Sequence, residues 1–311
     1  MNLKENVDFF YDNKYQKLII TCGVHQYKIL DPKKKYLKMM KKENFSGEML
    51  EFVIKNNLID VLPDQMDQII KNDRTCYFFR DKIRSQLFDQ NLQPLFKRIK
   101  NEKFLVIGCG GIGTVILDNL IRVGFRNFTL IDGDKVEANN LNRQLFYTKE
   151  NIGEYKVDVL SNKMKLISDS DDVNIITLKK FIKSKEEIET LIQENQAESL
   201  MVINCADTPC ELNNIIGKIT RKYRIPFVFG YVGIDSGTWG PVYDEKKIYK
   251  EQDLSKTYPI KGSLGATNMI VGSLLSYQVV SYVLKDYLDI EENYYNQHVI
   301  DFDKGKILIN E

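Results

Sequence analysis

The chain has 311 residues, which is enough for one large domain or two unequal domains with an ample core. Its 44 basic and 43 acidic side chains leave a formal net charge of +1, so no global field favours nucleic acid or a membrane surface as partner. Five scattered cysteines, no CxxC pair and only two histidines exclude a framework for zinc or disulfides. The N-terminal residues MNLKENVDFF lack an apolar signal core, and this favours the cytoplasm.

The N-terminal quarter of the chain differs in pattern from the rest. Residues 18–23 and 25–30 are strand-like runs around a tight connection, which predicts a hairpin. A Lys-rich amphipathic stretch follows, and a second helix is predicted with Ser46 as its N-cap. This β-β-α-α pattern predicts a small winged-helix-like α+β domain over residues 1–75, followed by a larger domain over residues 76–311.

In the larger domain, strand-like and helix-like segments alternate along the chain. The apolar runs that predict strands are 104–107, 128–134, 173–178, 199–207 and 226–233. Such alternation favours an α/β, Rossmann-like fold with a mainly parallel sheet and helices on both faces. The pattern ends with a predicted hairpin around residues 303–305.

Residues 262–284 are 23 positions without a charge, which is long enough to span a bilayer. Serine, threonine, asparagine and glutamine side chains make the segment too polar for a typical span. We therefore expect a core helix packed through small residues, and no contact with a membrane.

A glycine-rich turn follows the first strand of the larger domain. In GCGGIG, glycine stands at Gly108, Gly110, Gly111 and Gly113, so the chain can pass close to a bulky group while helix N–H groups face an anion. Nineteen positions after Gly113, Asp132 ends the second strand, where a carboxylate can accept hydrogen bonds from ribose hydroxyls. The pattern predicts a nucleotide site, although flavin and nicotinamide enzymes share such a turn.

Charged residues after Asp132 distinguish among nucleotide chemistries. Arg143 lies in NLNRQ and Lys156 follows the GEY turn, and an adenylating site needs such cations because negative charge builds on the phosphates as a carboxylate attacks. Asp207 follows the fourth strand, at the sheet edge where open α/β sheets bind ligands. A carboxylate there can hold Mg²⁺ against a triphosphate.

With these residues the chain resembles the ubiquitin-activating-enzyme-like superfamily of adenylating enzymes, across residues 80–285 or so. The resemblance is carried by GCGGIG, the acid pair Asp132 and Asp134, NNLNRQ, Lys156 and Asp207. The short leading module makes the chain similar to the peptide-modifying branch that includes the microcin C adenylating enzyme. In that branch the leading module is a peptide clamp, the recognition element of ribosomal-peptide (RiPP) biosynthesis.

The resemblance implies a role for each matching residue. The four glycines form the nucleotide loop, Asp132 binds ribose, and Asp207 organises Mg²⁺. The remaining residues of the implied nucleotide site are Asp134, Asn140, Arg143, Gln144 and Lys156, of which Asn140, Arg143 and Lys156 contact phosphates. Family members donate an arginine across a dimer interface, and the candidates here are Arg84, one residue out of register, and Arg80.

The resemblance also implies a homodimer and activation of a carboxylate on a precursor peptide, with ATP or another nucleoside triphosphate and without nucleic acid. The four zinc-binding cysteines of many relatives are missing, so we predict no structural zinc. Relatives that pass the activated carboxylate to a thioester use a cysteine after the fifth strand. No cysteine follows Tyr231 here, so we predict no enzyme thioester. Other functions stay open: activation of a ubiquitin-like sulfur carrier, a carboxylate-activating peptide cyclase or dehydratase, a nicotinamide or flavin oxidoreductase, and a non-catalytic regulator that binds peptide or DNA.

Overall fold

The computed structural model describes most of the chain, in eight segments. These are residues 2–4, 6–56, 58–60, 73–83, 93–168, 171–195, 199–252 and 262–310. The chain divides into two compact units, of which the first runs to residue 92 and takes in 287–289, and the second contains the remaining residues. The domain boundary after residue 75 stays a prediction.

The first unit is a small α+β structure. Its elements are β1 (Asn2–Leu3), β2 (Val7–Asp12), β3 (Lys17–Cys22), β4 (His25–Leu30), α1 (Lys35–Lys42), α2 (Glu48–Lys55), β5 (Ile59–Asp60) and α3 (Asp73–Lys82). Strands β2, β3 and β4 form an antiparallel sheet, and β1 pairs with β5.

The hairpin predicted from residues 18–23 and 25–30 is present as β3 and β4. Cys22 and His25 are paired at its end, and Gly23 between them has φ +57°, a conformation that glycine adopts without strain. The sequence did not predict β2, and the N-cap of α2 is Gly47 rather than Ser46. One side of the sheet packs with the helices around a buried apolar cluster that includes Leu18, Ile20, Met40, Met49 and Val53.

The second unit is a doubly covered α/β structure. Its elements are α4 (Gln93–Asn101), β6 (Lys103–Ile107), α5 (Gly111–Val123), β7 (Asn127–Ile131), α6 (Lys156–Ile167), β8 (Asn174–Leu178), α7 (Lys185–Glu194), β9 (Leu200–Asn204), α8 (Leu212–Tyr223), β10 (Phe227–Val232), β11 (Ser236–Trp239), α9 (Gly265–Val283), β12 (Gln297–Asp301) and β13 (Lys306–Asn310). The strands of this unit form an eight-stranded sheet in the order β13-β12-β11-β10-β9-β6-β7-β8.

The strand directions confirm the predicted α/β fold. From β10 to β8 the sheet is parallel, whereas β11, β12 and β13 add an antiparallel extension that ends in the predicted hairpin. Strand β6 is central, with β7 on one side and β9 on the other, and the chain crosses over between β8 and β9. The carboxyl ends of β6 and β9 therefore flank a topological switch point, where open α/β sheets bind ligands.

The uncharged segment 262–284 contains the predicted core helix, α9, and the structure shows that it packs against α5. Gly272 permits this close packing, because a Cβ atom at that position would come within 2.7 Å of the Val115 side chain. In the described part of the chain, no helix is both long and apolar enough to cross a bilayer.

A buried histidine gives the second unit a dependence of stability on pH. His298 on β12 is 7% exposed, its ring stacks on Trp239 at 5.0 Å between centroids, and burial lowers its pKa below the ordinary value of 6.5. The unfolded chain therefore takes up a proton at a higher pH than the folded chain does. The folded state loses stability as the pH falls through that interval.

We expect His298→Gln to reduce the decline in the free energy of unfolding between about pH 7 and about pH 5, the interval around the ordinary histidine pKa. Urea unfolding at a series of pH values measures this slope. The matched control is His25→Gln, which changes the exposed second histidine on β4. Equal slopes in the two variants would contradict the assignment.

Candidate active site

Backbone crowding at the switch point explains two of the four loop glycines. Gly108 has φ +91°, and a Cβ atom there would lie 2.6 Å from the backbone nitrogen of Ala206, just after β9. A Cβ atom on Gly113 would overlap the carbonyl oxygen of Gly108. These glycines let the loop after β6 pack directly on the chain that leaves β9.

The remaining two glycines face different surroundings. A Cβ atom on Gly111 would overlap the side-chain amide of Asn268 on α9, so this glycine makes room for a side chain. At Gly110, the N-cap of α5, the nearest atom to such a Cβ would be Nε2 of Gln144, at 3.7 Å. Gly110 therefore borders open space at the start of a 13-residue helix, where free N–H groups and the helix dipole favour an anion.

Asp132 connects the glycine loop to the end of β7. Its carboxylate is 8% exposed and accepts hydrogen bonds from the backbone N–H groups of Cys109 (2.7 Å) and Asp134 (2.8 Å). Burial raises the pKa of this carboxyl group, while the Lys156 cation and the two N–H donors act in the opposite direction. Asp132, the residue predicted to bind ribose, thus also holds the glycine loop in position.

Lys156 and Asp134 form an ion pair beside this loop. Lys156 begins α6, its side chain is 6% exposed, and its Nζ lies 2.9 Å from Oδ2 of Asp134, whose side chain is 53% exposed. The backbone N–H of Lys156 also donates to the carbonyl of Asp134. The lysine is therefore held rigidly, with a partner that can turn to solvent when another anion arrives.

The NNLNRQ segment wraps around the start of α5. Asn140 is buried, and its side chain closes a one-turn helix with Glu137. Arg143 is half-buried and donates to the carbonyl of Asn139 (2.8 Å) and to Oδ1 of Asn142 (2.9 Å). In this conformation Asn140 therefore shapes the segment, while Arg143 stays accessible to a ligand.

Gln144 is 6% exposed and lies beside Gly110, and among the described residues its Oε1 has no hydrogen-bond partner. A buried acceptor without a donor is costly unless a water molecule or a ligand satisfies it. The Nε2 atom of the same side chain is the one that lies next to Gly110.

Asp207 lies three residues beyond the end of β9 and is exposed. Its Oδ1 accepts a hydrogen bond from the Thr208 hydroxyl at 3.2 Å. Among the described residues, no group of three or more His, Cys, Asp or Glu side chains could hold a metal ion alone. A single free carboxylate nevertheless fits Mg²⁺, which usually binds through one or two carboxylates together with the phosphates of a substrate.

The structure brings most of the predicted residues to one sheet edge. Contacts run from Cys109 through Asp132 and Asp134 to Lys156, and Ala206 joins Asp207 to the glycine loop. Arg84 lies outside the described residues. Arg80 lies on α3 in the first unit, and its side chain is not among those described.

Several supporting residues were not predicted. Thr114 accepts from the backbone N–H of Leu145 (3.1 Å), and the Tyr147 hydroxyl donates to the carbonyl of Cys109 (2.8 Å). Asn268, on α9, donates to the carbonyl of Leu264 and packs on Gly111. A threonine three residues into a helix and an asparagine in an apolar helix give no signal of this kind in one sequence, because their partners are distant along the chain.

The cysteines near the site divide by exposure. Burial raises the pKa of the Cys109 thiol, and it raises that of Cys205 to about 12, so both thiols stay protonated at neutral pH. Cys210 is exposed.

The profile of the ThiF family matches residues 80–309. The chain belongs to the ThiF family. The resemblance to the ubiquitin-activating-enzyme-like superfamily of adenylating enzymes is thereby confirmed. One similar protein is a probable molybdopterin-synthase adenylyltransferase from Porphyra purpurea, 27% identical over 226 residues that cover 68% of this chain and 56% of that protein. Another is ubiquitin-like modifier-activating enzyme 5 from Aedes aegypti, 33% identical over 144 residues that cover 41% of this chain and 36% of that protein.

The matched segments cover less than two thirds of the length of these curated relatives. Solved structures of one protein, in contrast, are similar to this chain along its whole length. Escherichia coli MccB, crystallised with AMPCPP and MccA, has a TM-score of 0.80 and 18% identity, with 100% of this chain and 96% of that chain covered. MccB crystallised with ATP has a TM-score of 0.77 and 19% identity, with the same coverage. At this identity the likeness shows the fold, which matches that of MccB.

Two alanine variants separate the packing role of the loop glycines from a ligand role. We expect Gly113→Ala to destabilise the protein by about 1–3 kcal/mol, because its Cβ has no room beside Gly108. Gly110→Ala should change stability by no more than about 0.5 kcal/mol, because its Cβ would make only an ordinary van der Waals contact, with Nε2 of Gln144. It should nevertheless weaken ATP binding about tenfold or more, a change of about 1.4 kcal/mol.

Urea unfolding and calorimetric titration with ATP measure the two effects. Normal ATP affinity in Gly110→Ala would show that the open space is not the phosphate site.

Proposed function

We propose that this ThiF-family protein activates a carboxylate of a ribosomally made peptide by nucleotidyl transfer from ATP with Mg²⁺. The reaction releases pyrophosphate and belongs to peptide natural-product (RiPP) biosynthesis. The observation that carries the proposal is the N-terminus of α5 at Gly110, beside which Gln144 packs and near which the Tyr147 hydroxyl joins the Cys109 and Lys156 carbonyls. The Lys156 cation and the N–H groups of a helix N-terminus lie close together there, as a triphosphate site requires.

The chemistry follows from the charges at this edge. A carboxylate oxygen of the peptide attacks the α-phosphorus of ATP, the bond from that phosphorus to the bridging oxygen breaks, and pyrophosphate leaves with the electron pair. The products are an acyl adenylate and pyrophosphate. Lys156 and Arg143 stabilise the negative charge that builds on the phosphates. Because the Lys156 side chain is already fixed in a buried position, it need not move when that charge develops. Mg²⁺, when bound, neutralises the triphosphate, and Asp207 would hold it.

The cysteine positions support transfer without an enzyme thioester. Residues 232–311 contain no cysteine, the Cys109 thiol is buried, the Cys205 residue is half-buried, and burial raises the pKa of both thiols. In this proposal the activated carboxylate stays an acyl adenylate until a nitrogen or another nucleophile of the substrate captures it.

The first unit would bind the precursor peptide. Strand β4 is at one edge of the three-stranded sheet, and among the described residues it pairs on one side only, with β3. An open strand edge can add an extended peptide through backbone hydrogen bonds. MccB, which has the same fold, was crystallised with the peptide MccA. We extend the proposal to a homodimer in which Arg84 or Arg80 reaches the partner's nucleotide.

Activation of a ubiquitin-like sulfur carrier is the second candidate function. It is favoured by the similarity to a molybdopterin-synthase adenylyltransferase over 68% of this chain. A folded carrier ending in Gly-Gly would then stimulate pyrophosphate release, and a short peptide would not. A peptide cyclase or dehydratase would share the acyl-phosphate step, and its product would lack a water molecule relative to the substrate.

Asp207→Ala should abolish peptide-dependent release of pyrophosphate and leave the fold intact, because the side chain is exposed and, among the described residues, hydrogen-bonds only to Thr208. The control is Asp303→Ala, which removes an exposed carboxylate from the tip of the terminal hairpin. A colorimetric pyrophosphate assay and circular dichroism measure activity and fold. Normal activity in Asp207→Ala would contradict the assigned role.

Lys156→Met should lower the turnover number by about 10²–10³-fold, the usual loss when a single transition-state donor is removed. Lys165→Met, an exposed position on the same helix, should keep full activity. Asp134 is half in solvent, and the buried Asp132 carboxylate keeps its two backbone N–H donors, so both variants should fold. A turnover number for Lys156→Met equal to that of Lys165→Met would exclude Lys156 from the reaction.

A further inference from the structure

A hydrogen-bonded chain of three polar side chains lies beneath the turn that carries Asp207. Asn204, the last residue of β9, is fully buried. Its Oδ1 accepts from the backbone N–H of Ala206, and its Nδ2 donates to the carbonyl of the same residue, both at 3.1 Å. One side chain therefore fixes both backbone groups of the residue that precedes Asp207.

The chain continues through α8 to the end of β10. Nδ2 of Asn204 also donates to Oδ1 of Asn213 at 2.8 Å, and Asn213 is 4% exposed. Nδ2 of Asn213 in turn donates to the hydroxyl of Tyr231. Each amide uses its oxygen and its nitrogen, so the orientation of one determines that of the next.

The last member of the chain fixes the orientation of the two amides. Burial raises the pKa of Tyr231, so its hydroxyl stays protonated at neutral pH. The hydroxyl oxygen accepts from Asn213, and it therefore holds the Asn213 amide and, through it, the Asn204 amide in one orientation. Packing alone does not require this arrangement, because apolar residues of similar volume could fill the same buried positions.

We propose that Asn204, Asn213 and Tyr231 are positioning residues that fix the carboxylate of Asp207 for Mg²⁺ bound with the nucleotide. Asn204 acts on the Ala206 backbone, and Asn213 and the Tyr231 hydroxyl act by holding the Asn204 amide in place. The same Ala206 backbone packs on Gly108, so these three side chains fix the position of Asp207 relative to the glycine loop. The inference rests on the proposed function only in assigning Mg²⁺ to Asp207.

Tyr231→Phe removes the hydroxyl and keeps the ring. The matched control is Tyr243→Phe, which removes a hydroxyl from the same aromatic cluster, where Tyr243 stacks on Phe229 at 6.0 Å. Mg²⁺ is titrated at a fixed concentration of AMPCPP, and thermal unfolding reports the Mg²⁺ concentration that gives half of the maximal stabilisation. We expect Tyr231→Phe to raise this concentration about tenfold, because the buried Asn213 amide loses its acceptor and no longer holds Asn204 against Ala206. Tyr243→Phe should leave it unchanged.

A double variant tests whether the effect passes through Asp207. If it does, Tyr231→Phe combined with Asp207→Asn should show the same Mg²⁺ dependence as Asp207→Asn alone. Additive effects would overturn the proposal, as would a Tyr231→Phe titration that matches Tyr243→Phe. So would an Asp207→Asn variant with a normal Mg²⁺ response. The titration needs no turnover, so an expected Mg²⁺ response in a protein that releases no pyrophosphate would contradict the proposed function and support this inference.

Discussion

The backbone contact between Gly108 and Ala206 is the constraint on which the rest of the site depends. Strands β6 and β9 are neighbours in the sheet although the sequence places almost 100 residues between them, and the chains that leave them must turn apart at the same edge. Without a Cβ atom at Gly108, the two turns touch, and the crevice above them stays open. Asp132 then holds one turn through the N–H of Cys109, and Asn204 holds the other through Ala206.

The charged groups at this sheet edge are suited to the triphosphate of the proposed function, which binds and leaves in each catalytic cycle. Lys156 is buried but paired with a half-exposed Asp134, so the site carries no unpaired buried charge in this conformation. Arg143 is similarly occupied by neutral oxygens of its own segment. In the proposed function, an incoming triphosphate would replace these partners at cations that are already in place, and those cations would be available as charge develops on the phosphates.

Much of this architecture could be predicted from the sequence, because its main signals are local. The glycines of GCGGIG, the alternating strands and the acid at the end of β7 each form a pattern within a few residues. Strand β2 was missed because Phe9, Phe10 and Tyr11 are consecutive aromatic residues, which hide the alternation of buried and exposed positions. The Asn213–Tyr231 and Gly111–Asn268 contacts were missed because they join residues whose proximity only the fold creates.

The most direct test of the account is thermal unfolding of the protein with ATP, CTP, GTP or NAD⁺, with and without Mg²⁺. A ligand at 100 times its Kd should stabilise the folded state by about 2.7 kcal/mol. The account predicts stabilisation by ATP that requires Mg²⁺ and is lost in Asp207→Ala. Stabilisation by NAD⁺ alone would contradict it and would assign the glycine loop to hydride-transfer chemistry.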